Sequence, residues 1–113
     1  MKLFNLQDFV KLPPGTLYTR NDGHEIQIKG DWVSDDGQDW TCATFGYTGD
    51  TSKVYLEMLY GESYPIQTDY YGREGLFDND AEFYVYESWD LEQLRLIIDR
   101  AISVALPQKF KQP

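Results

Sequence analysis

The chain has 113 residues, 42% of them hydrophobic and 16% aromatic, and sets 10 Lys and Arg against 19 Asp and Glu for a formal net charge of −9. That length holds one core, so residues 1–113 are read as a single domain. The aromatic content excludes a disordered acidic tail, and the negative charge opposes phosphate backbones, so direct nucleic-acid binding is not expected. No apolar run approaches the ~20 residues that cross a bilayer, no signal-peptide pattern opens the chain, and the single cysteine, Cys42, fits a reducing cytoplasm.

The first predicted element is a short helix. Asn5 can cap it, Asp8 sits in the first turn, and Leu6, Phe9 and Val10 share one apolar face. Pro13 and Pro14 end it after Leu12. Residues 16–29 read as a β-hairpin: Asn21-Asp22-Gly23 is a tight-turn signal, and Ile26 and Ile28 alternate with Glu25, Gln27 and Lys29. Gly30 ends or bulges that hairpin. A second turn cluster, Ser34 to Gln38, separates a short strand at 31–34 from a third strand at 40–45, in which Trp40, Cys42 and Thr44 face one way.

Residues 50–61 read as a helix. Asp50 or Thr51 starts it, Gly61 closes it, and Val54, Tyr55, Met58 and Leu59 have helical spacing, although Val54-Tyr55-Leu56 also suits a strand. Tyr64 to Tyr71, interrupted by Pro65, is an edge strand or loop, and 72–80 is a charged loop. Glu82 to Glu87 is a strand with Phe83 and Val85 on one face and Tyr84 and Tyr86 on the other. The last helix, capped by Ser88 or Asp90, carries a stripe of Leu91, Leu94, Ile97, Ile98, Ala101, Ile102 and Ala105 and stops at Pro107. Residues 108–113 form a frayed tail.

This order predicts an α+β fold: an antiparallel sheet of four to five strands, a C-terminal helix packed on one face and a short N-terminal helix. Leu94, Ile98 and Ile102 are expected to be buried against Phe83 and Val85.

The motifs of chemistry are absent. His24 and Cys42 are each the only residue of their type, and they are read as a turn-flanking His and a buried Cys rather than a catalytic dyad. One His and one Cys do not make a zinc site. Asp78-Asn79-Asp80-Ala81-Glu82 begins like a calcium loop, but Phe83 stands where that loop needs Gly and Trp89 where it needs an acid. No cofactor, no metal and no enzymatic activity are expected.

The excess is in aromatics: nine Tyr, three Trp and six Phe. The loop Tyr70-Tyr71-Gly72-Arg73-Glu74-Gly75-Leu76-Phe77 and the sheet residues Tyr84 and Tyr86 combine tyrosines, a guanidinium and apolar anchors, the residue types that carry binding energy at protein interfaces. Tyr70, Tyr71, Arg73, Phe77, Tyr84 and Tyr86 are therefore the candidate binding residues. The competing reading covers the second sheet face with the tyrosines and pairs Arg73 with a nearby acid such as Asp69.

Leu12-Pro13-Pro14-Gly15-Thr16-Leu17-Tyr18, then Ile28-Lys29-Gly30, then the run from Gly72 to Glu87 followed by an acid-capped helix, together resemble small accessory proteins encoded by tailed bacteriophages and prophages. The resemblance covers most of the chain and brings no catalytic residue with it. It implies a protein acting in the cytoplasm of a bacterial host that binds and blocks a host protein, including components of CRISPR or nucleotide-signalling defences. The charge of −9 favours a partner with a basic surface. The alternative is a small-ligand binder that sequesters a nucleotide signal, with aromatics stacking on the base and Arg73 copies brought together by homo-oligomerisation.

Overall fold

The structure is a computed structural model that describes residues 1–44, 51–63, 72–75 and 80–106, with the side chains of 51–54, 74 and 75 left aside. Its elements in chain order are β1 (Lys2–Asn5), α1 (Leu6–Phe9), β2 (Leu17–Arg20), β3 (Gln27–Val33), β4 (Asp39–Thr44), α2 (Thr51–Leu59), β5 (Gly72–Gly75), β6 (Glu82–Val85) and α3 (Ser88–Val104). The fold is α+β, with one antiparallel sheet in the order β1-β6-β2-β3-β4-β5. It has six strands rather than four or five. The additional strands are β1, which pairs Lys2 to Asn5 with Val85 to Glu82, and β5, which pairs Gly72 to Gly75 with Cys42 to Asp39.

Local signals explain most of the rest. Asn5 caps α1 by accepting the Asp8 N–H at 2.8 Å. The helix proper ends at Phe9, and tighter turns, with the Leu12 N–H on the Phe9 carbonyl at 3.0 Å, carry the chain to the prolines. The 50–61 reading resolves as helix. The Gly61 N–H reaches the Met58 carbonyl, the Glu62 N–H reaches the Glu57 carbonyl, and Gly61 takes φ +95°, a left-handed cap that favours glycine.

The short strand expected at 31–34 is the continuation of β3 past a register shift between Lys29 and Val33. Gly30 lies in that stretch. A Cβ there would stand 2.1 Å from Thr41 Oγ1 and 3.0 Å from the Thr41 carbonyl oxygen, so the crossing is open only to glycine.

One sheet face carries the core. Phe9 from α1 stacks on Phe83 with ring centroids 4.1 Å apart and meets Tyr18 and Trp40 edge-on at 4.6 and 5.3 Å. All four rings are fully buried, and Trp40 Nε1 donates to the Tyr18 hydroxyl at 3.0 Å. Leu6, Cys42, Ala81 and Val85 complete the cluster. A four-residue helix thus covers the inner face, because one phenyl ring touches three strands at once.

The C-terminal helix behaves differently from the expectation. Its N-cap is Glu87, whose backbone N–H donates to Asp90 Oδ2 at 2.8 Å, and the Met1 ammonium sits 2.7 Å from the same carboxylate. No residue of α3 is buried. Leu94 is half-buried, while Ile98 and Ile102 are exposed. Phe83 and Val85 point to the opposite side, into the α1 core, so the stripe has no access to them. Leu91, Leu94, Ile97 and Ile98 instead line an open groove of about 270 Å³ with Leu17 of β2 and Ile26.

Candidate functional site

The sheet face opposite α1 holds the sequence-predicted residues that lie within the described chain. Strand alternation sends Tyr84 and Tyr86 away from Phe83 and Val85. Register then aligns Leu3, Tyr84 and Thr19 across β1, β6 and β2, and Leu17, Ile28 and Ala43 across β2, β3 and β4. Tyr84 is exposed. Tyr86 is half-buried and its hydroxyl is hydrogen-bonded to Thr19 Oγ1 at 3.0 Å.

Arg73 stands on this face at the far edge, opposite Thr41. Its Nε donates to Asp39 Oδ2 at 2.5 Å and its Nη2 pairs with the same oxygen. The guanidinium carbon lies 5.1 Å from the centre of the Trp32 ring, within cation–π range. The side chain is nevertheless 71% exposed, whereas that of Asp39 is 6% exposed. Asp39 Oδ1 is buried and accepts no hydrogen bond among the described residues. The result is a guanidinium held by one buried acid and one indole while its remaining donors face outward.

Asp39 itself is positioned by the turn before it. Ser34 Oγ donates to Asp36 Oδ1 at 2.6 Å and accepts the Asp39 N–H at 3.0 Å, while the Ser34 N–H reaches the Asp39 carbonyl at 2.8 Å. Donors from Ser34 and the Gln38 backbone hold the Asp36 carboxyl below its usual range.

Among the candidates, Arg73 and the Tyr84–Tyr86 pair share one sheet face but lie toward opposite edges, β5 and β6. Tyr70, Tyr71, Phe77 and Asp69 fall outside the described residues. Arg73 does pair with an acid, and that acid is Asp39. Asp39 and Trp32 are the contributors that sequence reasoning missed. The available signal was the placement of an acid and an indole beside the β3–β4 turn, on strands that the register brings next to Arg73.

The groups considered for chemistry differ in exposure. His24 is exposed on the turn between β2 and β3. Cys42 is buried on the inner face opposite Lys29, with Gln27 Nε2 3.8 Å from its sulfur. Lys29 is also buried, and desolvation pushes its ammonium pKa down. No group of three or more metal-ligating side chains occurs among the described residues, and no helix there is long and apolar enough to cross a membrane. The chain matches no family model, no curated protein and no solved structure.

Proposed function

We propose that this chain is a non-enzymatic binding protein that docks on a partner protein through the outer sheet face and, as its resemblance to phage accessory proteins implies, inhibits a bacterial host protein. The observation that supports the reading is Arg73: exposed, yet held in place by Asp39 and Trp32. An arginine fixed before binding loses little rotamer entropy when it meets a carboxylate or backbone carbonyl of a partner. Tyr84 and Trp32 add large aromatic area at few torsions. The net charge of −9 supports a partner whose wider surface is basic, because it accelerates encounter with such a surface.

The test is capture of the tagged chain's partner from host lysate, followed by calorimetry with purified partner. Trp32→Ala, Tyr84→Ala and Arg73→Lys should each weaken binding by at least about tenfold, with little change in melting temperature. Lysine keeps the charge beside Asp39 and loses only the planar fork. Full affinity in all three variants refutes the assignment of this face. A nucleotide released from the purified chain on denaturation, with no protein partner, would favour sequestration of a nucleotide instead.

A further inference from the structure

We infer that the apolar stripe of α3 is the self-association surface of the chain, in which two copies pair α3 against α3 in antiparallel orientation. The inference rests on α3 residues and not on Arg73, Trp32 or Tyr84, so either can fail without the other, although the groove beside α3 opens on the same sheet face at Leu17. Leu91, Ile97, Ile98 and Ile102 are 41, 56, 47 and 67% exposed. At this exposure the four side chains present on the order of 400 Å² of apolar surface in one stripe, as much as the largest patch on an ordinary monomer. With Leu94, Ala101, Ala105 and the flanking stems, two such stripes facing each other remove roughly 1,000 Å², about the minimum a biological interface clears.

The charges on α3 select a second copy. At 3.6 residues per turn, Arg95, which also pairs with Glu92 of its own chain at 2.8 Å, and Asp99 lie one turn apart on the same flank of the stripe. Antiparallel pairing about a two-fold axis close to Ile97 sets Arg95 of each copy opposite Asp99 of the other, so the contact is made twice. The same register places Leu91 and Leu94 of one copy against Ile98, Ala101 and Ile102 of the other, large side chains against a segment relieved by alanine. Surfaces that match themselves in this way are what a two-fold interface requires. The groove of about 270 Å³ beside Leu17 and Ile26 lies along the N-terminal half of the stripe and leaves Leu91, Leu94, Ile97 and Ile98 open on that side.

The experiment uses the full chain, with mass measured by sedimentation equilibrium across the micromolar range and helicity checked by circular dichroism. The wild type should reach twice the 13.2 kDa chain mass. Ile98→Asp, on an exposed position, should remain folded and monomeric. Arg95→Asp and Asp99→Arg each oppose like charges in a self-pair and should weaken association by about tenfold or more. An equimolar mixture of these two variants opposes Asp to Arg at both contacts and should restore the dimer. A wild type that stays monomeric, whether α2 or a foreign protein takes the stripe, overturns the inference. So does a dimer insensitive to Ile98→Asp, or a mixture that associates no better than its components.

Discussion

Replacing Phe9 with alanine should be among the most damaging single changes in the described chain. The ring is fully buried and contacts Phe83, Tyr18 and Trp40 at centroid distances of 4.1, 4.6 and 5.3 Å. Truncating a buried phenylalanine costs about 3–5 kcal/mol through lost transfer energy and the cavity left behind. The upper end applies here, because α1 is four residues long and has only Leu6 as a second buried anchor. A domain of this size has about 6–17 kcal/mol of stability to lose. Ile98→Ala, by contrast, removes a side chain already 47% exposed and should cost the isolated chain about 1 kcal/mol, well below the ~2–5 kcal/mol of a core position. Urea unfolding followed by tryptophan fluorescence reads the difference, since Trp40 lies against the perturbed ring. Dilute protein keeps self-association out of the measurement. A cost below about 1 kcal/mol for Phe9→Ala, or a larger one for Ile98→Ala, would refute the placement of the core under α1.

Gly30→Ala drives a methyl into Thr41 Oγ1 and against the Thr41 carbonyl. It should cost about 1–3 kcal/mol in urea unfolding, and Thr41→Ala should rescue it only in part, because the residue 41 Cβ at 2.9 Å and carbonyl oxygen at 3.0 Å remain. Lys29→Met should raise the melting temperature at neutral pH, since burial disfavours the Lys29 ammonium. That advantage should shrink as pH rises through the depressed Lys29 pKa toward 10.5, and an unchanged or lower melting temperature would show that the ammonium is well solvated. The hydrogen bond to Asp90 raises the Met1 amine above 8.0, and the Met1 amine and the Glu87 N–H lower Asp90 below 3.8. The amine's stabilisation is complete below pH 8.0 and lost as pH rises through its folded pKa. The carboxylate's is complete above pH 3.8 and lost as pH falls through its own. Acetylating the N-terminus should therefore flatten the alkaline limb of a melting-temperature profile, and a limb that stays as steep would disprove the link.

Features set by neighbouring residues were legible in the sequence: the Asn5 cap, the Gly61 closure, the irregularity at Gly30, and the alternation that buries Phe83 and Val85 while exposing Tyr84. The two edge strands were not. Gly-Arg-Glu-Gly has little strand propensity, and β5 exists because β4 offers it a free row of backbone groups. Lys2 to Asn5 is too short to show a period and is drawn into the sheet by β6, far along the chain. Periodicity shows that one face of α3 is apolar and says nothing of what covers it, so the burial expected for Ile98 and Ile102 does not follow from it. For the site, Arg73 was legible as an anchor type. Its tether to Asp39 depends on the β4–β5 register, which no local pattern encodes.

The place of β6 between β1 and β2 has a consequence for how the chain acquires its structure. During synthesis β2, β3 and β4 emerge early and can form their hairpins, but Phe9 has no ring to stack on until Phe83 arrives. β6 must then enter between two strands that were made long before it, with the widest sequence separation of any strand pairing among the described residues. A sheet whose closing strand comes last folds slowly and leaves the Phe9, Tyr18 and Trp40 rings only partly covered in the meantime. A chain truncated before Glu82 would keep Leu6, Phe9, Tyr18, Trp40 and Cys42 but lose Phe83 and Val85, and with them the strand that joins β1 to β2.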